Sequence, residues 1–209
     1  MATCVAVFAY QVSLDRNAAT LIVDFGFVPA RLTQALAEGG PALQAALLTA
    51  ISAQFLHAGW IHVLGNLVYL RVFGDNVEAR MGSLLYLAFY FVSGAVGLGA
   101  QYSFDPQSPV PIVGASGAIA GVLGTYIVLF PSARIVTLFP VLIFLTFVEV
   151  PAALFLGVWG LQQLLNGLLA FEGATDRVAW FAHIGGFVFG LLVGIIARIW
   201  RRYSRSAAP

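Results

Sequence analysis

Long stretches of this chain carry no charge, and that limits what it can fold into. Residues 83–102, 152–170 and 180–197 contain no Asp, Glu, Lys or Arg. Each is close to the ~20 apolar residues that a helix needs to cross a hydrocarbon core about 30 Å thick. Over all 209 residues, 9% are charged and 60% are hydrophobic, where a soluble domain carries roughly 25% charged residues. A soluble globule of 22.3 kDa needs more polar surface than this chain can supply. That excludes a soluble enzyme and a disordered protein. The net charge of +1 leaves no basic footprint for nucleic acid. The single cysteine, Cys4, excludes an internal disulfide and a cysteine-built metal site. The composition describes a polytopic membrane protein; its apolar runs, taken as helices, make it all-α, and a single transmembrane domain over residues 1–209 is expected.

Six spans are predicted: residues 2–12, 56–73, 83–102, 116–130, 152–170 and 180–200. The first is too short to cross alone, as though its helix were entered part-way. A further apolar stretch, 135–150, is interrupted by Pro140 and Glu149 and reads as a hairpin at the membrane surface. Between the spans lie a long first loop (13–54), a polar turn (74–82) and a Pro-rich loop (103–113). No basic region follows Met1, so no cleavable signal peptide is expected. All ten basic residues are arginine, and their placement orients the bundle. With both termini cytoplasmic, Arg71, Arg80, Arg134, Arg198, Arg201, Arg202 and Arg205 lie inside, and Arg16, Arg31 and Arg177 outside. Residues 201–209 then form a cytoplasmic tail.

Ionisable and polar residues inside spans are costly and mark function by default. In this topology spans two, four and six all run inward from the outer face. His62 and Asn66 then fall in the outer half of span two, Ser116 opens span four, and His183 lies one turn into span six. Four polar residues from three helices share one depth. His62 and Asn66 are four apart, on one helical face. On span six, Gly186, Gly190 and Gly194 follow His183 on its own face. Gly114, Gly117, Gly121 and Gly124 line the start of span four. A helical glycine costs about 1 kcal/mol relative to alanine, so seven of them need a reason. Small faces let membrane helices approach closely. Packing alone explains either row. The two rows together also bring Ser116 Oγ toward a His183 ring nitrogen. A serine hydroxyl needs such a base to act as a nucleophile. Histidine, with its ordinary pKa near 6.5, can take the proton and return it. Asn66, His62 and the Ser116 backbone N–H are the candidate donors to an oxyanion. No residue is obviously placed to orient His183, so the pattern is that of a Ser-His dyad. His57 and His62 are five apart and do not form a paired metal face. No carboxylate lies near the histidines at membrane depth. A three-histidine metal site is the minor alternative.

The chain resembles the rhomboid intramembrane serine proteases. The resemblance is carried by His57-Ala-Gly-Trp-Ile-His62-Val-Leu-Gly-Asn66 and Phe73-Gly-Asp-Asn-Val-Glu-Ala-Arg-Met-Gly82. It continues in Gly114-Ala-Ser-Gly117 and Ala182-His183-Ile-Gly-Gly186-Phe-Val-Phe-Gly190, and spans about residues 30 to 200. It implies a six-helix rhomboid-like bundle with Ser116 as nucleophile, His183 as general base, and His62 and Asn66 at the oxyanion. It implies no cofactor or metal, and substrates that are transmembrane proteins entering laterally past span five. Two features depart from the family pattern. Many relatives carry Trp-Arg where this chain has Leu48-Thr49, and some carry an aromatic residue where it has Ala120. The first concerns how the first loop is anchored, the second how His183 is held.

Hydrolysis at membrane depth needs water, so a cavity open to the outer face and roofed by residues 103–113 is expected. Gln162, Gln163 and Asn166 on span five either line the substrate side or bond between helices. The polar turn after span two, with Glu78 and Arg80, reads as structural, as does His57, which could also organise water. Two rival functions have different signatures. A helix-gripping pseudoprotease usually lacks the serine or the histidine, and a transporter calls for acidic residues within spans. The expected location is a prokaryotic plasma membrane.

Overall fold

The computed structural model describes residues 1–141, 144–170 and 178–206. Asp176 and Arg177 lie outside the described residues, as does the centre of the predicted 135–150 hairpin. Three helices are long and apolar enough to span a bilayer: α7 (Ser83–Phe104), α9 (Ala152–Ala170) and α10 (Trp180–Ser206), the last by its apolar part. They match predicted spans three, five and six, and α10 continues as helix into the segment expected to be a tail. Two shorter apolar helices, α1 (Ala2–Ser13) and α8 (Ser116–Leu129), match spans one and four.

The first loop and span two differ from expectation. Residues 13–54 are mostly helical, as α2 (Ala18–Phe25), α3 (Pro29–Glu38) and α4 (Gly40–Ser52). Proline occupies the first turn of both α3 and α4, where its missing N–H has no intrahelical role to lose. Span two begins at Trp60, with α5 (Trp60–Tyr69) running through a π-turn (Leu70–Gly74) into α6 (Asp75–Met81). The polar turn expected at 74–82 is therefore helix. Gly74, Asp75 and Asn76 look like turn residues, but Phe73 and Val77 are buried in the core. Arg71 pairs with Asp75 one turn on along the continuous helix. The chain turns only at Gly82, whose φ of +81° lies in the region that favours glycine. Helix α4 and its continuation to Phe55 meet the α5–α6 helix at an 82° bend.

The segment after α8 is a hairpin, as predicted, formed by antiparallel strands β1 (Arg134–Val141) and β2 (Phe144–Pro151). It is the β element of an otherwise helical protein among the described residues.

Helix α8 is the axis of the fold. All ten residues from Gly117 to Tyr126 are buried. Helices α7 and α10 flank it at backbone contact. A Cβ added to Gly190 would stand 1.9 Å from Gly121 O, one on Gly186 2.1 Å from Gly117 O, and one on Gly124 2.1 Å from Phe187 O. The two glycine rows thus mesh along their length. Thr125 Oγ1 donates to Gly190 O across the same seam at 2.8 Å, fully buried. Interhelical bonds of this kind contribute about 0.6–2 kcal/mol. Thr125→Val is expected to lower stability by that amount, measurable by thermal unfolding in detergent, with the helix seam intact.

Candidate active site

The length of α8 sets the depth of the site. Its 14 residues span about 21 Å at 1.5 Å each, well short of a ~30 Å hydrocarbon core. Its far end lies beside Arg80, whose guanidinium sits 4.9 Å from the Phe130 ring centre. Its near end, Ser116, is recessed within the bundle. Gly114, with φ +124°, turns the incoming strand so that Ser116 opens the helix. The first intrahelical bond runs from Ile119 N–H to Ala115 O. The N–H groups of the turn before it are free of intrahelical acceptors, at the positive end of the helix dipole.

His183 comes from the first turn of α10. Its Nε2 lies 2.8 Å from Ser116 Oγ. Its Nδ1 lies 2.8 Å from Oε1 of Gln163 on α9. Two indoles bracket the ring, Trp159 at 6.2 Å between centroids and Trp180 edge-on at 6.0 Å. Gln101 on α7 accepts hydrogen bonds from the N–H groups of Phe181 and Ala182 with Oε1, at 3.0 and 3.3 Å. It caps the start of α10 and so fixes the turn that carries His183.

His62 and Asn66 face the strand before the serine. A Cβ on Gly114 would stand 2.6 Å from His62 Nε2 and 3.7 Å from Asn66 Nδ2. The missing side chain leaves that space clear. Asn66 Nδ2 is a buried donor without a hydrogen-bond partner, and unpaired buried donors are uncommon enough to call for a role. His57 is 1% exposed. It stacks edge-on behind His62, 5.2 Å between ring centres. Its backbone is held by the Gln11 side chain, which donates to His57 O at 3.1 Å and accepts from His57 N–H at 3.0 Å. Gln11→Leu strips both partners from a buried peptide, and an unsatisfied buried group costs about 1–3 kcal/mol. That variant is expected to show a lower unfolding temperature.

Ser116, His183, His62, Asn66 and Gln163 all line one cavity of about 1550 Å³. Its lining includes Asp105, Ser108 and residues 110–113, so the predicted roof is in place. The roof starts at Asp105, since Ser103 and Phe104 belong to α7. It is tied down by a bridge between Phe27 and Ile112 and by Thr33 Oγ1 donating to Pro106 O at 2.7 Å. Among the described residues no group of three His, Cys, Asp or Glu could hold a metal ion.

A family model described as "Rhomboid domain" matches residues 44–200. The chain belongs to the rhomboid family. It is 28% identical over 153 residues to RHOMBOID-like protein 5 of Arabidopsis thaliana, covering 73% of this chain and 45% of that one. It is 29% identical to Presenilin-associated rhomboid-like protein A, mitochondrial, of Danio rerio, covering 72% and 38%. It is 30% identical to Rhomboid protein 1, mitochondrial, of Saccharomyces cerevisiae, covering 70% and 41%. The chain spans less than half the length of these relatives.

In this rhomboid both departures from the family pattern find a structural answer. With Leu48-Thr49 in the first loop, Leu48 is exposed and Thr49 bonds only its own helix. The loop is anchored instead by Ser52 Oγ donating to Phe25 O at 2.7 Å and by the Phe27–Ile112 bridge. With Ala120 after the serine, the rings beside His183 come from α9 and from α10 itself. Gln163, expected either to line the substrate side or to bond between helices, does bond between helices, and its partner is His183. Of the three polar residues on span five, Gln162 is exposed and Gln163 buried against His183, with Asn166 half-buried. Trp159 and Gln163 are four apart and share a face, which is the signal a sequence could offer.

Proposed function

We propose that this rhomboid is an intramembrane serine endopeptidase. The observation that carries the reading is the 2.8 Å contact between Ser116 Oγ and His183 Nε2, at the recessed end of α8 inside the cavity. Ser116 Oγ attacks the scissile carbonyl carbon while its proton passes to His183 Nε2. The resulting oxyanion is met by the Ser116 N–H, the Asn66 amide and His62. The imidazolium then protonates the departing amine, and a water activated by the same nitrogen hydrolyses the acyl-enzyme. Substrates are transmembrane segments that reach the cavity from the bilayer past α9, which contributes Trp159 and Gln163 to its wall. The arginine distribution supports cytoplasmic termini, with the cavity open to the outer face of a prokaryotic plasma membrane.

The test is cleavage of a tagged single-span protein in proteoliposomes. The reading expects a cut within or next to the transmembrane helix, together with covalent labelling of Ser116 by a fluorophosphonate. Absence of labelling in folded protein would overturn it. Asn66→Ala tests the oxyanion assignment, because loss of one such donor costs about 10²–10³ in kcat. The expected result is that loss with KM little changed.

A further inference from the structure

We infer that Gln163 is a positioning residue that sets the tautomer of His183. The inference rests on the serine endopeptidase reading above and extends it from a dyad to a three-residue relay. A neutral imidazole carries one proton, and the nitrogen that holds it cannot act as the base. For His183 to take the Ser116 proton, the ring proton has to sit on Nδ1. In serine proteases of the Ser-His-Asp kind, a buried carboxylate enforces that choice. Here the group facing Nδ1 is an amide, which presents either an acceptor oxygen or a donor nitrogen according to how it is turned. The two orientations would fix opposite tautomers.

The surroundings of Gln163 decide between them. Its Nε2 faces the main-chain carbonyl of Trp159, one turn earlier on α9, at 3.4 Å. A carbonyl oxygen only accepts, so the NH2 end of the amide belongs on that side. Oε1 is thereby left toward His183 Nδ1, at 2.8 Å, and an oxygen there requires a proton on Nδ1. His183 Nε2 is then bare and directed at Ser116 Oγ, also at 2.8 Å. The sequence of contacts is a backbone carbonyl, an amide, an imidazole and a hydroxyl, each orienting the next. Gln163 is 6% exposed, so water has little access to compete for Nδ1. Trp159 supplies both the carbonyl that orients the amide and an indole beside the His183 ring. The relay also crosses from α9 to α10. Its base is therefore correctly protonated only while α9 is seated against α10, on the side where substrate is proposed to enter.

The experiment is ¹⁵N NMR of histidine-labelled protein in detergent, with resonances assigned by single replacement of the three histidines. It is read alongside kinetics of Gln163→Leu. The expected spectrum of the unmodified protein at neutral pH shows His183 protonated on Nδ1 and bare at Nε2. The expected kinetic result for Gln163→Leu is a fall in kcat of about 10- to 100-fold with KM changed less than about twofold, since general-base action is impaired while substrate binding is not. His183 carrying its proton on Nε2 in the unmodified protein would overturn the inference, and that reading needs no variant to fold. Equal kcat for Gln163→Leu and the unmodified protein would overturn it as well, while leaving the endopeptidase reading intact. If the unmodified protein neither cleaves nor labels, the endopeptidase reading fails, and the tautomer still reports on Gln163 by itself.

Discussion

Ser116→Ala, His183→Ala and the double variant are each expected to lose essentially all cleavage, and to fall to the same floor. In the proposed mechanism nucleophile and base act as one unit across the 2.8 Å contact: without His183 the hydroxyl would stay protonated, and without Ser116 the imidazole would have nothing to activate. Removing either member of such a pair costs about 10⁴–10⁶ in kcat, and removing both costs little more. The measurement is initial cleavage rate in proteoliposomes for the four proteins, with thermal unfolding run in parallel. Fold retention is expected, because neither side chain is a packing anchor of the α8–α10 seam. Additive losses in the double variant would mean that the two residues act independently, and would contradict a shared proton transfer.

The second large effect is expected at Gly190, about 10 Å along α10 from His183 by helical rise. An added Cβ would stand 1.9 Å from Gly121 O and 2.7–2.8 Å from two further backbone atoms of Gly121. No side chain can rotate away, so α8 and α10 have to separate. Overpacking of this kind costs about 1–3 kcal/mol, occasionally more, and contacts with backbone put Gly190→Ala at the upper end. The same separation lengthens the Ser116–His183 contact, so activity falls together with stability. Gly157→Ala on α9 is the control. Nothing lies within 4 Å of its added Cβ, and replacing a helical glycine with alanine is favourable by up to about 1 kcal/mol. Thermal unfolding in detergent should place Gly190→Ala well below the unmodified protein and Gly157→Ala at or above it. Equal unfolding temperatures for all three would contradict the close-packed seam.

Much of the candidate site was legible in the sequence alone. His62, Asn66, Ser116 and His183 could be placed at one depth because depth follows from where each apolar run starts and from the direction in which it crosses. The glycine rows pointed to the pairing of α8 with α10, since close approach needs small residues on both partners. The helices within residues 13–54 and at 75–81 were not legible. Their turn-like residues, such as Asp75 and Asn76, are held in helix by the burial of Phe73 and Val77, and that burial exists only once α8 is alongside.

By itself, then, the sequence determined a membrane protein, the order of its apolar helices, and a serine and a histidine able to meet. Those properties follow from local hydrophobicity and from the rise per residue along a helix. Only the tertiary structure decided which of Gln162 and Gln163 faces His183, which rings flank it in place of an aromatic at Ala120, and which backbone bonds hold the roof. These are questions of how each helix is rotated about its axis and which neighbour it meets. In a lipid environment an apolar surface gains little by facing protein over lipid, so hydrophobic pattern does not specify rotation. Rotation is set by the meshing of small residues and by a few buried hydrogen bonds between helices.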